Sequence, residues 1–239
     1  MNNRFLVRLF WGERRETAAE CAHRFKTSLE RLAQLAPEFQ QWYQGINGPG
    51  QANEEHHLDH TQLTRFIEEG RDTVAPPKMA DELGFSVRTW YSYGDDELGK
   101  LIVHCGGYNH GPYGPFNSVI LNLPDVNPRL ELDEIFSILR ALIEIWEPSW
   151  ANIWNDEIMD AVPELEVDAP EMGWMLFLEN ERGPLPELGE AFKVVQIDSG
   201  NIIITGEEPP SSERNDGIKH LHQLHSELMA AGVLGPVND

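Results

Sequence analysis

The chain has 239 residues, of which 41% are hydrophobic, and its formal net charge is −22. This length and apolar content allow a packed core and exclude a wholly disordered chain. The 40 acidic residues against 18 Lys and Arg disfavour binding to nucleic acids or anionic membranes and favour a basic partner, although solubility alone could also explain the charge.

Hydrophobic periodicity and turn residues divide the first half of the chain into elements. In chain order the patterns predict a strand at 4–11, a helix at 17–35, a short helix from Pro37 to Trp42, a loop at 45–53, a helix at 55–70, a hairpin of strands 84–93 and 98–106 with its turn at 94–97, and a strand at 118–124.

The second half continues the alternation of strands and helices. The patterns predict a helix at 131–147, a short helix from Asp156 that is capped by Asn155 and stopped by Pro163, strands at 173–179, 192–197 and 201–206, and a last helix from about 213 to 231. Hairpins mixed with long helices predict an α+β fold with a mixed, mainly antiparallel sheet and several packed helices. No linker divides the chain, so we expect one domain over residues 1–239.

Cysteine usage and the N-terminus favour a cytoplasmic protein. Cys21 and Cys105 have no metal-ligand spacing and lie in helix and strand patterns, where we expect buried, reduced thiols. Arg8 interrupts the first apolar run, which is not typical of a signal peptide. No apolar run approaches the roughly 20 residues that a membrane span needs.

Residues 94–101, GDDELGKL, almost match a phosphate-binding loop. Leu101 replaces the final Ser or Thr, a strand follows where a helix is required, and three acids would repel phosphate. A hairpin turn is the better interpretation.

Two histidine pairs have spacings that can bind zinc. His56 and His60 are four residues apart, and His222 and His225 are three apart. Neither pair has a Cys partner or the H-E-x-x-H pattern, so helix faces and core packing explain them better. We expect no metal and no cofactor.

Cys105 and His110 are the only pair that suggests nucleophilic catalysis. They flank a Gly- and Pro-rich loop, but the sequence has no G-x-S-x-G motif and nothing that activates the thiol. We predict no catalytic residues, and a small hydrolase built on this pair remains an alternative.

The acidic segment, residues 155–171, contains seven acids and no Lys or Arg. Asp156 and Glu157 would lie in a first helical turn, where the helix dipole stabilises negative charge. Asp160 lies beyond the first turn, so the helix dipole does not explain an acid at this position. Beyond Pro163, acids alternate with apolar residues, which either protects a sheet edge or provides a docking face for a cationic protein.

We therefore expect the acids of this segment to contact a basic protein. The two tryptophans just before it are candidate aromatic anchors if they are exposed, with core packing as the alternative. The predicted contact residues are Asp156, Glu157, Asp160, Glu164, Glu166, Asp168, Trp150 and Trp154.

Short motifs in order over nearly the whole chain carry a family resemblance. They are Trp11-Gly12, TAAECAHRF, WYSYGDDELGKLIVHCGGY, SVILNLP, Gly173-Trp174-Met175, GNIIITGEEP, and Ala231-Gly232-Val233-Leu234 after a His-bearing helix. Together they resemble the immunity protein 52 family, the antidotes of bacterial polymorphic toxin systems. Within that family the chain is similar to the immunity partner of a type VI secretion nuclease effector.

The resemblance implies a binding protein and supplies no catalytic residues. Toxins associated with this family are similar to restriction-endonuclease-like DNases, which need a basic cleft for phosphates. An acidic antidote could find and fill such a cleft. An acidic decoy or regulator of a basic host protein remains an alternative.

Overall fold

The computed structural model describes most of the chain. The exceptions are residues 1–3, 45, 49–50, 53–54, 57–58, 72, 74, 94–96, 110–116, 125–129, 163–168, 212–214 and 236–239. The predicted turn at 94–97 is therefore described only at Glu97. His110 and three predicted contact residues (Glu164, Glu166 and Asp168) lie outside the described residues.

Helices are interleaved with single strands and short runs of strands in the described part of the chain. The strands are β1 (Leu6–Trp11), β2 (Ile46–Gly48), β3 (Gln51–Ala52), β4 (Phe85–Ser92), β5 (Leu98–Cys105), β6 (Asn117–Asn122), β7 (Trp150–Trp154), β8 (Met175–Glu179), β9 (Lys193–Ile197) and β10 (Gly200–Ile204). The α-helices are α1 (Ala18–Leu35), α2 (His60–Glu69), α3 (Pro77–Leu83), α4 (Leu132–Trp146), α5 (Asp156–Ala161) and α6 (Asn215–Ala230). Short 3-10 helices lie at Pro37–Phe39 and Asn180–Arg182.

Eight of the strands form one sheet in the order β4-β5-β6-β1-β7-β8-β10-β9, and β2 pairs with β3 separately. Each pairing between named strands of this sheet is antiparallel. The α+β prediction is confirmed, and within the described residues the sheet is antiparallel rather than mixed.

The inner face of the sheet packs against helices and forms the main core. Val7 and Leu9 of β1 are completely buried there, because alternate residues of a strand point to the same face. Helices α1 and α4 meet over this face, where Trp146 Nε1 donates a hydrogen bond to Ser28 Oγ at 2.8 Å. The α1 helix starts at Thr17, whose side chain forms a capping box with Glu20.

The outer face of the sheet has two unlike halves. Asn152, Leu176 and Ile203, on β7, β8 and β10, have no exposed surface. Ile102 and Ile120 occupy the same row on β5 and β6 but are only half-buried. The side of the sheet that carries β7 and β8 is therefore covered on both faces.

One edge of the sheet is largely closed by the chain itself. Tyr43 and Trp90 of β4 exchange backbone hydrogen bonds, with N···O distances of 2.8 and 3.0 Å. Ser86 N also donates to Gly70 O at 3.0 Å. Strand β4 therefore presents few unpaired backbone groups to solvent, whereas β9 forms the opposite edge.

Most predicted elements are confirmed with shifts of a few residues at their ends. The helix expected at 55–70 starts only at His60, because the side chain of Asp59 caps it by accepting a hydrogen bond from Gln62 N at 3.1 Å. The loop expected at 45–53 contains β2 and β3, and the short helix from Pro37 ends at Phe39. Helix α3 and strand β7 were not predicted.

A membrane-spanning helix must be both long and apolar. None of the helices in the described part of the chain combines the length and apolar character needed to cross a bilayer.

Candidate partner-binding site

The acidic segment starts directly after β7, and β7 fixes where it begins. Alternate residues of this strand, Trp150, Asn152 and Trp154, share the outer face of the sheet. Trp150 is 3% exposed, and its ring stacks on Phe10 with centroids 4.3 Å apart. Core packing therefore explains Trp150, which is not available as an exposed anchor.

Trp154 is half-buried at the end of the same strand. The guanidinium carbon of Arg8 lies 4.1 Å from the centroid of its ring. A cation this close to an indole face makes a favourable cation–π contact. The Trp154 ring is therefore held against the sheet by Arg8, while part of its surface stays accessible.

Arg8 itself is a buried cation in the centre of the sheet, with 8% of its surface exposed. Its Nε donates to Asn152 Oδ1 at 3.1 Å, and its Nη2 donates to Glu171 Oε2 at 2.6 Å. Burial lowers the pKa of Arg8, and the nearby Glu171 carboxylate opposes this effect. The Glu171 side chain is 45% exposed, so the pair joins the core to the surface.

Asn152 attaches the far end of the acidic segment to the sheet. Its Nδ2 donates to the backbone oxygens of Glu171 and Met172 at 2.9 and 3.4 Å. The acidic segment therefore leaves the sheet at Asn155 and returns to it at Glu171, beside the strand from which it started. Arg8 and Asn152 fix the returning end, and Arg8 also contacts Trp154 just before the segment starts.

Helix α5 forms the first part of the acidic segment. Asn155 caps it by accepting a hydrogen bond from Ile158 N at 2.9 Å, as predicted, and Ile158 is completely buried. This single apolar contact and the cap orient the helix. Its opposite side, with Asp156 and Asp160, is exposed to solvent.

The predicted contact acids have different environments in the structure. Asp156 and Asp160 are one helical turn apart, and within the described residues neither forms an ion pair. Like charges at this spacing disfavour the helix by a few tenths of a kcal/mol. Glu157 is half-buried and has an interaction partner.

Cys105 does not have the environment of a catalytic nucleophile. It is 1% exposed, and a hydrogen bond with Cys21 together with burial raises the pKa of its thiol well above the ordinary value. Since the thiolate is the reactive form, this thiol is held in its unreactive state.

The two histidines of the first zinc-compatible spacing, His56 and His60, lie in different surroundings. His56 is 6% exposed and its ring packs edge-on against Phe25 and Phe66, whereas His60 starts α2 on the surface. The two residues do not share a helix, so the predicted helix at 55–70 is wrong at His56, whereas core packing, one of the expected explanations, applies to His56. No group of three or more potential metal ligands occurs among the residues that are described.

The phosphate-loop alternative also lacks its structural context. Lys100 and Leu101 lie inside strand β5, which pairs with β4 and β6. No helix N-terminus is therefore placed to bind phosphate at this position.

An open groove of about 660 Å³ runs between α1, α2 and α4. Its lining includes Glu20, Glu144 and the half-buried Glu16, which already pairs with Arg14 and Arg24 at 3.1 and 2.8 Å. The same lining carries His23, Arg24, His60 and Thr27, and the Thr27 hydroxyl donates to the backbone oxygen of His23 at 2.8 Å rather than to a base. The groove therefore mixes acidic and basic side chains and does not form a catalytic arrangement among the described residues.

The anchor formed by Arg8, Asn152 and Glu171 was missed in the sequence. Arg8 and Asn152 are polar residues inside short apolar strands, LVRLFW and WANIW, and this pattern is the one signal that could have indicated a buried polar cluster. Glu171 was counted with the other acids of the segment, but its ion pair gives it a structural role.

The sequence model of the family described as Immunity protein 52 matches residues 3–237. Among solved structures, a chain titled "Pseudomonas aeruginosa T6SS protein PA0821" matches with a TM-score of 0.52 and 13% identity, covering 91% of this chain and 76% of that one. This likeness concerns the fold. The search of curated proteins found no match.

Proposed function

Because the chain belongs to the immunity protein 52 family, we propose that it is the antidote of a cognate bacterial toxin, which it binds and neutralises. The toxin is a type VI secretion effector, and its chemistry is that of a restriction-endonuclease-like DNase. Two observations support this finer assignment: the structural neighbour is titled a T6SS protein, and the charge of −22 is complementary to a cleft that binds DNA phosphates.

The observation that carries the mechanism is the exposed pair Asp156 and Asp160. These carboxylates lie one turn apart on α5 and have no ion pair among the described residues, so their charge remains available to a basic partner. The Asn155 cap and the buried Ile158 fix the helix that presents them, and Arg8 and Asn152 hold Glu171 at the other end of the segment. Acidic side chains on a helix that is already fixed in the free protein can enter a phosphate-binding cleft with little loss of conformational entropy.

The protein acts by occlusion and not by catalysis. Its acidic surface covers the active site of the toxin or the path of the nucleic acid. The hydrolase alternative would need an activated Cys105, but the thiol is buried and its pKa is raised.

The protein works as one domain in the cytoplasm of the cell that makes the toxin. The single eight-stranded sheet and the two buried free cysteines, Cys21 and Cys105, support this proposal.

Growth rescue tests the proposed function. The toxin encoded by the neighbouring gene is expressed alone and together with this chain, and we expect growth only in the second case. Pull-down from the native host should recover the same toxin. Recovery of an unrelated basic host protein, without rescue, would favour a decoy or regulator instead.

A further inference from the structure

We propose that the free edge of β9 binds an extended, cationic segment of the toxin, which adds a ninth strand to the sheet. This proposal rests on the proposed function and names a second contact surface, separate from the acidic segment.

Two residues of β9 direct their backbone polar groups away from the sheet. Strands β9 and β10 are joined by the two-residue turn Asp198–Ser199, which closes on the pair Ile197 and Gly200. In a hairpin with a two-residue turn, the two residues that flank the turn form a hydrogen-bonded pair. Along the two strands, hydrogen-bonded pairs then alternate with non-hydrogen-bonded pairs. Ile197, Val195 and Lys193 therefore bond to β10, and the N–H and C=O groups of Val194 and Gln196 point outward.

These outward groups have no partner in the part of the chain that is described. No backbone or side-chain hydrogen bond reaches the free side of Val194 or Gln196. Val194 is 44% exposed, and Gln196 is also exposed. The other edge of the sheet differs, because Tyr43 and Gly70 bond to β4 there.

Strand β9 lacks most of the features that protect a sheet edge. Its sequence, KVVQI, contains no proline, and its pairing with β10 has no bulge. Natural sheets usually block exposed edges by such means, because unpaired strands bind other strands. Lys193, at the start of the strand, is the one protecting charge within it. The edge is therefore suited to strand addition, in which main-chain hydrogen bonds supply affinity.

The negative charge around the β9 edge favours a cationic strand as its binding partner. Glu187, Glu190 and Asp198 are exposed just before and after the strand, against the single cation Lys193. An incoming strand with Lys or Arg near its ends is attracted by these carboxylates, and an apolar residue beside Val194 extends the contact. A second copy of this chain brings another charge of −22 and is repelled.

Proline substitution at an outward-facing position tests the edge. Gln196→Pro removes the outward N–H and places a ring where the new strand would lie, while the hydrogen bonds to β10 remain. Gln196→Ala is the matched control, because it changes the same side chain and keeps the N–H. We expect Gln196→Pro to bind the neighbouring gene's toxin, in catalytically inactive form, roughly tenfold or more weakly than Gln196→Ala. Equal affinity of two folded variants would overturn the proposal.

Hydrogen exchange of the wild-type protein provides a test that does not depend on folding of the proline variant. In the saturated complex the amides of Val194 and Gln196 should exchange at least about tenfold more slowly than in the free protein. Unchanged exchange in a complex that forms overturns strand addition and leaves the proposed function intact. Absence of any complex overturns the proposed function itself. A wild-type dimer that Gln196→Pro converts to a monomer assigns the edge to a second copy and also overturns the proposal.

Discussion

The Nη2 atom of Arg8 lies 2.6 Å from Oε2 of Glu171, although the two residues are far apart in the sequence. This ion pair connects the centre of the sheet to the last acid of the acidic segment. It holds the Glu171 end of the segment against the sheet while the carboxylate remains 45% exposed.

Glu171→Gln should destabilise the protein because it leaves the buried Arg8 without its counter-ion. We expect a loss of about 1–2 kcal/mol in the free energy of unfolding, below the value for a fully buried pair because Glu171 is partly exposed. Urea denaturation measures it. Asp160→Asn, at an exposed residue, is the control and should change stability by less than about 0.5 kcal/mol. Equal stability of the two variants would show that the ion pair does not hold the segment.

Charge reversal in the acidic segment should slow association with the toxin. Replacing Asp160, Glu164 and Glu166 by Lys changes the local charge by six units, and the association rate at low salt should fall roughly tenfold or more. Individual exposed pairs contribute only about 0–1 kcal/mol of affinity, so the main effect is on the rate. Surface plasmon resonance at about 0.05 and 0.5 M salt measures it.

A second triple variant separates local from total charge. Glu30, Glu55 and Glu69 are exposed acids outside the segment, and their replacement by Lys changes the net charge by the same amount. If both triple variants associate equally fast, the segment is not the docking face and its acids serve solubility and edge protection.

Cys105 should be unreactive in the folded protein and unnecessary for protection. Its raised thiol pKa and 1% exposure predict no alkylation by iodoacetamide until the chain is unfolded. Cys105→Ala should protect cells from the toxin as well as the wild type does. Loss of protection by a folded Cys105→Ala variant would support the hydrolase alternative.

His104 should make the protein less stable under mildly acidic conditions. Burial and the nearby Arg88 lower its pKa, so the folded protein binds fewer protons at this residue than the unfolded chain. Its contribution to stability is present above the unfolded pKa of about 6.5 and is lost as the pH falls through the folded pKa. His104→Gln should therefore flatten the loss of stability between about pH 7 and 5.

Urea unfolding across this range measures the effect of His104. His23→Gln, at an exposed residue, is the matched substitution for comparison. A steeper loss of stability in His104→Gln than in wild type would mean that folding raises the pKa of His104 instead of lowering it.

Local signals made most of the fold predictable from sequence. Helix α1 has both helical spacing and a capping box at Thr17, and the β4–β5 hairpin has alternating strands around a turn. Strand β7 was missed because WANIW is short and buried on both faces, so it lacks the alternation that identifies a strand. Helix α3 has seven residues, which is too short for a periodic pattern.

Only those features of the candidate site that depend on neighbouring residues in the sequence were predictable. Asn155 and the acids of α5 follow from capping and charge patterns, and the structure confirms the cap. The link from Arg8 to Glu171 joins residues from distant strands, and no periodicity relates them. The free edge of β9 depends on sheet order, which local patterns do not determine.

The position of β1 between β6 and β7 has a consequence for the timing of synthesis. Its first neighbour in the sheet begins at Asn117 and its second ends at Trp154, so this early strand is made long before either partner exists. At ribosomal rates the delay before β6 emerges is roughly 5–20 seconds. During that interval LVRLFW must avoid other chains, and the Arg8 charge that later binds Glu171 is the feature that limits its aggregation. Strand β1 therefore gains both of its neighbours only when nearly two thirds of the chain has been translated.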